Sequence, residues 1–376
     1  MSTSKKRVLV VGPHAESTGG IVTFQRNLMH VSNLNEMWEF VPYNISRPPK
    51  NREANHNYDA IFQQDPKRLL KATGLTGRNF LQYFGVLTDI DIVQIQSSDY
   101  YSFWESAYYA IMAKQKGVPV VVRYGGAFDN FYGGSNVRVQ KMIRWILRQP
   151  DGIVVQSQSW KDYFSKIVDP QKLHVIGNAI PYQEEIDRSD RKQKPKLLFF
   201  CGQEAKRKGY FELIQAVENC EGCFELQILA ANDDVHADMK ERKIVSKDID
   251  VILMDSFSRE ELRTRIYPEA DVFLIPSHGE GFPNSMLEAM GASLPIIATP
   301  VGAIPEVLEN GKEGFIVDLG DIEALRSKIQ VLVQEPLRRQ KMGRKSYRTA
   351  MEKYEINSMF SRFGRLWNHV LDASSS

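Results

Sequence analysis

The sequence predicts an α/β protein of two domains, each built on a parallel β-sheet that helices cover on both faces. Short apolar runs rich in valine and isoleucine alternate along the 376 residues with segments long enough for helices. Such continuous apolar runs are typical of strands buried on both faces of a parallel sheet. A chain of this length also suggests two domains of ordinary size. We therefore expect two Rossmann-like domains.

Six strand candidates fall in each half of the chain. In the first half they are 7–11, 39–43, 91–96, 118–124, 152–156 and 173–176. In the second half they are 196–201, 224–230, 251–254, 271–275, 294–299 and 314–317. Strands that alternate with helix-length segments predict βα units and a parallel sheet in each half.

A charged stretch separates the two halves. Residues 183–195 contain almost no apolar side chain, which is typical of an exposed linker between domains. We therefore expect an N-terminal domain over 1–183, a linker over 184–195 and a C-terminal domain over 196–355. The remaining residues, 356–376, have apolar side chains at helical spacing and predict an amphipathic helix. This helix packs either on the N-terminal domain or on the surface of the C-terminal domain.

Composition is that of an ordinary globular protein, with 43% apolar and 25% charged residues. The net charge of +2 gives no general attraction to nucleic acid. No apolar run approaches the roughly 18–20 residues of a membrane helix, and the N-terminus does not resemble a signal peptide. Three cysteines, two of them in Cys220-Glu-Gly-Cys223, are too few for a zinc site and indicate a reducing compartment.

Two carboxylates eight positions apart, Glu280 and Glu288, form the most informative motif. The first follows the strand 271–275, and the second lies in a run that favours a helix. Eight helical residues make just over two turns, so both acids can face one cleft. Gly281 permits close backbone approach, and Pro283 suits the first helical turn, whose N–H groups favour a phosphate. A surface helix with two solvated acids is the alternative, which the neighbouring glycines and apolar side chains disfavour.

The motif reads E-G-F-P-N-x-x-L-E-A-M and is followed by V-G-A-I-P-E. In this form it resembles retaining glycosyltransferases of family 4, which have the GT-B fold. The resemblance implies two Rossmann-like domains that face a cleft, and a last helix that crosses back to the N-terminal domain. It also implies that Glu280 contacts the donor sugar and that Glu288 holds the ribose hydroxyls of the donor. The further donor-binding residues expected in this segment are Gly281, Phe282, Pro283, Asn284 and Ser285.

A basic loop follows the strand 196–201 and is bounded by two glycines. A nucleotide-sugar donor has a diphosphate leaving group, whose growing negative charge is stabilised by fixed cations and N–H donors. The resembling family has a lysine just before the second glycine, and Lys208 matches it. We therefore expect Gly202 and Lys208 in the donor site, with Lys208 and Glu280 as catalytic residues. A solvated basic loop is the alternative.

The same loop departs from the family pattern at one position. Where the family has an arginine, one residue after the first glycine, this chain has Gln203. We keep Gln203 among the expected donor-binding residues. Arg207 or Lys206 could supply the missing charge from a nearby position.

Polar residues in the N-terminal half indicate further contacts. Gly20 ends a glycine pair at a strand-to-helix turn, where a backbone N–H can approach a phosphate or sugar, although the loop is not a dinucleotide fingerprint. The resembling family has a glycine-rich loop at this place, so we expect Gly20 among the donor-binding residues. Tyr124 precedes Gly125 where the family often has histidine, and a phenol is not a base near neutral pH. Tyr124, Gly125, Asp129 and Ser97 are the expected acceptor or sugar contacts. For Asp129 and Ser97 a helix cap is the alternative role.

The resemblance implies transfer, with retention of anomeric configuration, from a nucleotide-diphosphate sugar to a hydroxyl of a sugar or lipid-linked glycan. UDP-sugar is the expected donor, and bacterial polysaccharide or glycoconjugate synthesis is the expected process. In this family a donor phosphate oxygen is taken to deprotonate the acceptor, so we expect no cofactor and no divalent metal. Asp233 and Asp234 lack the further oxygen ligands that magnesium needs. A catalytically degenerate nucleotide-sugar-binding subunit is the alternative, which Tyr124 and Gln203 favour.

A basic amphipathic segment bears on where the protein acts. Residues 138–148 place Lys141, Arg144 and Arg148 at helical spacing among apolar side chains. A helix of this kind can lie on an anionic membrane surface, or it can be an ordinary helix that packs on the sheet. We therefore expect a cytoplasmic protein with no nucleic-acid partner, either free or peripheral on the inner face of the cell membrane.

Overall fold

A computed structural model describes residues 5–13, 20–32, 37–45, 82–98, 100–126, 128–189, 194–202, 204–242, 248–254 and 257–374. By its internal contacts the chain divides into two units. Unit 1 comprises Met1–Gly177 and Met359–Ser376, and unit 2 comprises Asn178–Ser358. Each of the twelve predicted strands is present, and six of them belong to each unit.

Unit 1 is built on a parallel sheet in the order β2-β1-β3-β4-β5-β6. Its strands are β1 (Lys6–Gly12), β2 (Trp38–Asn44), β3 (Ile92–Ser97), β4 (Val120–Tyr124), β5 (Gly152–Val155) and β6 (Leu173–Val175). Its helices are α1 (Gly20–Ser32), α2 (Tyr100–Gln115), α3 (Phe128–Gly133), α4 (Val137–Leu147) and α5 (Gln158–Phe164), with 3-10 turns at Leu87–Asp89 and Pro170–Lys172. Every residue of β3 and β4 is buried, including the polar side chains Gln94, Gln96 and Arg123, as expected for strands covered on both faces of a parallel sheet.

Unit 2 has a second parallel sheet in the order β12-β11-β10-β7-β8-β9. Its strands are β7 (Lys196–Phe200), β8 (Phe224–Leu229), β9 (Ile249–Met254), β10 (Val272–Ile275), β11 (Ile296–Ala298) and β12 (Gly314–Ile316). Numbered within the unit, this order is 6-5-4-1-2-3, the doubly wound Rossmann arrangement. The direction of winding reverses between β7 and β10, so the two strands meet at a topological switch point.

The helices of unit 2 cover both faces of that sheet. They are α6 (Ala205–Lys208), α7 (Tyr210–Glu218), α8 (Asp233–Glu241), α9 (Arg259–Glu261, a π turn at Leu262–Ile266, and Tyr267–Glu269), α10 (Asn284–Gly291), α11 (Ile304–Val307), α12 (Ile322–Gln334) and α13 (Pro336–Tyr354). Separate apolar clusters form beneath them, one around Leu197 and Ile214 and the other around Phe273 and Leu287.

The last helix, α14 (Ile356–Ser374), belongs from Met359 onward to unit 1. The fully buried indole of Trp367 packs edge-on against Trp38, with ring centroids 5.1 Å apart, and its Nε1 donates to Gln94 Oε1 at 3.1 Å. Phe363 packs against Phe24 at 5.7 Å. The helix is therefore part of the unit 1 core, and this confirms the predicted fold class.

The charged stretch predicted to be a linker over 184–195 is held to unit 2 where the structure describes it, although none of its described residues is buried. Its described residues belong to unit 2, which begins at Asn178. Arg188 donates to the carbonyl oxygens of Ala270 at 2.8 Å and Ser293 at 3.2 Å. An arginine can hold a segment in place through its five donors, although it adds nothing to an apolar pattern. Residues 190–193 lie outside the described part of the chain.

All three cysteines are free, and only Cys223 is exposed. Burial raises the pKa of Cys201 and of Cys220 to about 11, so both thiols stay protonated near neutral pH. The Cys-x-x-Cys spacing therefore has no disulfide. Among the helices that the structure describes, none has both the length and the apolar character needed to cross a membrane.

We expect Trp367→Ala to lower the free energy of unfolding by about 3–5 kcal/mol, because truncation leaves a cavity and removes the donor to Gln94. Urea denaturation followed by circular dichroism measures the change. Leu319, 48% exposed, provides the control, since Leu319→Ala should change stability by less than about 0.5 kcal/mol. Equal stability of the two variants would contradict the packing of α14.

Candidate functional site

The candidate site lies at the carboxyl ends of three neighbouring strands of unit 2, namely β7, β10 and β11. Parallel strands all end at the same edge of a sheet, so the loops that follow them are brought together. In an open α/β sheet the crevice beside the switch point is where ligands bind. The described donor-binding residues that we predicted in the second half lie in the first two of these loops and in α10.

Glu280 and Lys208 form an ion pair in this place. Lys208 Nζ lies 2.7 Å from Glu280 Oε1, and the Ser277 hydroxyl donates to the same oxygen at 2.9 Å. The Glu280 side chain is only 9% exposed and that of Lys208 only 20%. Two donors on one oxygen fix the carboxylate, and Glu280 Oε2 keeps lone pairs that can accept from another donor. The structure thus brings together the two residues predicted to be catalytic.

Arg207 adds a second cation beside this pair. Its Nη1 lies 4.0 Å from Glu280 Oε2 and donates to the Gly279 carbonyl oxygen. Its Nη2 also forms an ion pair with Glu204 at 2.6 Å. Gln203, which stands where the family has arginine, lies outside the described residues. Of the two basic residues considered as a replacement, Arg207 is therefore the one that the structure places beside Glu280.

Glycines allow the three loops to touch through their backbones. Gly209 has φ +79°, and a Cβ there would lie 1.9 Å from the Pro276 carbonyl oxygen. Gly302 has φ +57°, and a Cβ there would lie 2.1 Å from the Glu280 carbonyl oxygen. Ala303 N donates to the Gly281 carbonyl oxygen at 2.9 Å, which ties the loop after β11 to the Glu280 loop. The ion pair is therefore held by a closely packed backbone.

Glu288 occupies a different environment from Glu280. Helix α10 begins only at Asn284, because Pro283 is extended, with φ −71° and ψ 114°. The helical spacing that we expected to relate the two acids is therefore wrong, since Glu280 lies in the loop before the helix. Glu288 Oε2 accepts from the Tyr267 hydroxyl at 3.3 Å, and its Oε1 lies 3.5 Å from Arg259 Nη2.

Tyr267 and Arg259 were not predicted as site residues. Both belong to α9, 21 and 29 positions before Glu288, and no motif in the sequence connects them to it. Burial and the neighbouring Glu288 carboxylate raise the pKa of Tyr267 well above its ordinary value. The phenol is therefore a hydrogen-bond donor to Glu288 at any physiological pH.

Residues 282–285, between the two acids, contain a core aromatic side chain and the first residues of α10. The Phe282 ring packs edge-on against Tyr354, with centroids 5.7 Å apart, and the Phe282 carbonyl oxygen accepts from Asn178 Nδ2 at 2.8 Å. Its side chain therefore serves the core of unit 2. Asn284 and Ser285 begin α10, and Pro283 provides no side-chain cap. The N–H groups of a first helical turn have no acceptor within the helix, so they favour an anion.

His278, Gly202 and Ser277 also belong to these loops. His278 Nε2 lies 2.8 Å from Glu212 Oε1, so its ring is engaged outside the Glu280 cluster. Gly202 has φ +64°, the left-handed conformation that glycine adopts readily, and a Cβ there would approach only Phe200. Its role is therefore to form the turn after β7. Ser277 was missed as a site residue, although it directly precedes the motif and binds the central carboxylate.

In unit 1, three of the four predicted acceptor or sugar contacts lie at the carboxyl ends of β3 and β4. The Ser97 hydroxyl lies 2.7 Å from the Ser106 hydroxyl, so it joins β3 to α2. The Tyr124 ring stacks on Phe164, with centroids 5.7 Å apart, and burial raises the pKa of its phenol. Gly125 N donates to the Ser97 carbonyl oxygen at 3.0 Å. Both side chains are therefore used inside unit 1, and Gly125 is buried as well.

The other two predicted contacts in unit 1 are at helix starts. Gly20 is the first residue of α1, and Asp129 lies in the first turn of α3, where its side chain is exposed. Asp129 is thus inside the helix and not its N-cap. Among the described residues, no group of three or more histidine, cysteine, aspartate or glutamate side chains is arranged to hold a metal ion.

Two protein-family models match the chain. The model described as Glycosyltransferase Family 4 matches residues 43–184, and the one described as Glycosyl transferases group 1 matches residues 194–335. Together they cover about three quarters of the sequence. The chain belongs to glycosyltransferase family 4.

Curated relatives of this family 4 chain include the capsular polysaccharide biosynthesis glycosyltransferase CapM of Staphylococcus aureus, 25% identical over 59% of the chain and 62% of CapM. Another is GDP-mannose:cellobiosyl-diphosphopolyprenol alpha-mannosyltransferase of Xanthomonas oryzae, 26% identical over 64% of each protein. The matched regions thus span less than two thirds of these relatives.

A solved structure extends the comparison to the whole chain. HepE of Anabaena, crystallised with UDP-glucose, superposes with a TM-score of 0.69 at 12% identity, over 96% of this chain and 99% of HepE. At such low identity the likeness concerns the fold alone. With its two six-stranded parallel sheets, the family 4 chain has the GT-B fold.

We expect Gly302→Ala to destabilise the protein by about 2–5 kcal/mol, because it combines a left-handed backbone with overlap on the Glu280 carbonyl oxygen. Gly311 separates the cost of the backbone conformation from that of the overlap. It has φ +85°, but a Cβ at this position would have no atom within 4 Å. Gly311→Ala should therefore cost only about 1–2 kcal/mol. Chemical denaturation measures both. If Gly302→Ala cost no more than Gly311→Ala, the close backbone approach would be refuted.

Proposed function

We propose that this chain is a retaining glycosyltransferase that moves a sugar from a nucleotide-diphosphate sugar to a hydroxyl of a glycan acceptor. The observation that carries the proposal is the Lys208–Glu280 pair beside the start of α10, at the switch point of unit 2. A sugar diphosphate needs a cation and N–H donors for its phosphates, and an acceptor for its sugar hydroxyls. This edge of the sheet supplies all three.

Each group then has a distinct role. The ammonium of Lys208 has three hydrogens, so it can donate to the donor phosphates while it keeps its bond to Glu280. Glu280 Oε2 accepts from a hydroxyl of the donor sugar, while Oε1 stays fixed by Lys208 and Ser277. The N–H groups of Asn284 and Ser285 bind the phosphates at the positive end of α10. Arg207 contributes the second cation.

The reaction needs no nucleophile from the protein in this proposal. The bond between the anomeric carbon and the phosphate oxygen breaks, and the acceptor oxygen bonds to the anomeric carbon on the same face. The proton of the acceptor hydroxyl passes to the departing phosphate oxygen. Lys208 and the start of α10 stabilise the diphosphate as its negative charge grows. These fixed positive groups take the role that a divalent metal plays in other transferases, so we propose a metal-independent reaction.

Glu288 is proposed to hold the ribose of the donor. Tyr267 and Arg259 fix one oxygen each, and a carboxylate so oriented can accept from the two neighbouring ribose hydroxyls. We propose a UDP-sugar as donor, for which the UDP-glucose complex of HepE provides the precedent. The Xanthomonas relative is named for GDP-mannose, so the base needs a direct test.

The acceptor is proposed to be a sugar or a lipid-linked glycan of bacterial polysaccharide or glycoconjugate synthesis. The names of CapM and of the Xanthomonas enzyme refer to capsular polysaccharide and to a diphosphopolyprenol glycan. Ser97, Tyr124, Gly125 and Asp129 remain the proposed acceptor or sugar contacts in unit 1, whereas Gly20 remains a proposed donor contact. Because the Tyr124 ring is buried, its contribution is limited to the hydroxyl. Free cysteines support action in the reducing cytoplasm.

We expect Lys208→Ala and Glu280→Gln each to lower the transfer rate about a hundred- to a thousandfold, because each removes an electrostatic contact to the reacting group. UDP release from a UDP-sugar panel, measured with EDTA and a mixture of glycan acceptors, follows the reaction. Lys206→Ala is the matched control, since this exposed lysine lies on the same helix. Turnover of the two variants near that of the control would refute the site assignment.

We expect UDP to raise the stability of the wild-type protein by about 2.7 kcal/mol at a hundred times its dissociation constant. Glu288→Ala should weaken this effect, because the ribose loses its acceptor. Thermal shift with UDP, GDP and ADP measures the change and identifies the base. A shift with UDP in a protein that transfers no sugar would instead support a degenerate nucleotide-sugar-binding subunit. No shift with any nucleotide would contradict a donor site in unit 2.

A further inference from the structure

The outer face of α4 carries large apolar side chains that the described part of the chain leaves exposed. Val137 is 67% exposed, Met142 48% and Trp145 53%. Met142 and Trp145 are three positions apart on the helix, so they are neighbours on one face. Together the half-exposed Met142 and Trp145 side chains form a small apolar surface, whose contact with water is unfavourable in free energy.

The opposite face of α4 already explains why this helix is present. Ile143, Ile146 and Leu147 are buried in the core of unit 1. The side-chain oxygen of Asn136 accepts from Arg138 N and Val139 N, both at 3.1 Å, and caps the start of the helix. Because capping and packing are complete on the inner side, an ordinary role in the core does not account for Trp145 and Met142.

Cations surround the apolar side chains of this outer face. Arg138, Lys141, Arg144 and Arg148 are all exposed, and residues 137–148 contain no acidic residue. Lys141 and Arg148 lie four positions before and three positions after Trp145, so they flank it on the same face. Arg144 is held in place, because its Nε donates to the Tyr132 hydroxyl at 2.5 Å. The face is thus apolar at its centre and positive around it.

The positive charge continues past the end of α4. A shallow depression of about 420 Å³ lies there, and Arg148, Lys166 and Lys172 line it together with one acid, Asp169. Lys172 Nζ donates to the carbonyl oxygens of Arg148 at 3.0 Å and Pro150 at 2.9 Å. The lysine therefore stiffens the end of the helix and adds to the positive surface beside it.

We propose that the outer face of α4 attaches the protein peripherally to an anionic lipid bilayer. A helix that lies in the membrane interface has Lys and Arg on its polar side and Trp or other apolar residues on the buried side. Indole rings favour the headgroup level, and Lys and Arg are attracted to anionic lipid phosphates. The outer face of α4, with Met142 and Trp145 at its centre and four exposed cations around them, suits the interface of an anionic membrane. The attachment does not depend on the proposed transfer reaction, although it would hold a transferase beside lipid-linked acceptors.

Vesicle sedimentation tests this attachment without any activity measurement. The full chain is mixed with vesicles of phosphatidylglycerol and phosphatidylcholine in equal parts, and separately with vesicles of phosphatidylcholine alone. The test variants are Met142→Ser/Trp145→Ser, which removes the apolar centre, and Arg138→Gln/Lys141→Gln, which removes two cations. The control Met37→Ser/Leu337→Ser removes two side chains that are 62% and 82% exposed at sites outside α4. Circular dichroism checks that every variant is folded.

We expect the wild-type protein and the control to bind the anionic vesicles at least about tenfold more strongly than neutral ones. The loss of two cations should weaken binding about 25-fold at low salt, since each contributes about fivefold. The apolar variant should lose binding by about tenfold or more. Equal binding to both vesicle types, or unchanged binding of both test variants, would overturn the proposal. So would a dimer in solution that Met142→Ser/Trp145→Ser dissociates, because the face would then hold a second copy of the chain.

Discussion

The pairing of β7 with β10 is the contact on which the candidate site depends. Leu197, Leu198 and Phe199 are in register with Val272, Phe273 and Leu274. Because the two strands are parallel, the loops after them leave the sheet at the same edge. Lys208 and Glu280, 72 positions apart in sequence, can therefore form an ion pair. A different strand order would separate these side chains, even if the sequence of each loop were unchanged.

The Lys208–Glu280 pair is better suited to binding than to stabilising the fold. Both side chains are largely removed from water, so the cost of desolvating the two charges offsets much of their attraction. The surroundings nevertheless hold Glu280 closely, because the Ser277 hydroxyl donates to its carboxylate and the backbone of Gly302 lies against its carbonyl oxygen. Order of this kind around a charged group is what fixed electrostatic stabilisation of a reacting diphosphate requires.

Much of this fold could be predicted from the sequence, because buried parallel strands leave long apolar runs that local inspection detects. The positions of Lys208 and Glu280 followed from a family resemblance, and the structure brings them together. The partners of Glu288 could not be predicted, since Tyr267 reaches it only through the packing of α9 against α10. The hydrogen bonds by which Arg188 holds the charged stretch to unit 2 could not be predicted either, because bonds to carbonyl oxygens leave no trace in hydropathy.

The π turn in α9 makes the length of this helix part of the site. Leu262–Ile266 is wound more widely than an α-helix and directly precedes Tyr267. A π turn closes its hydrogen bonds over five residues instead of four, so it holds an extra residue between Arg259 and Tyr267. These two side chains approach Glu288 from the two ends of the turn. The winding of this one turn therefore sets the spacing at which both supports reach the carboxylate.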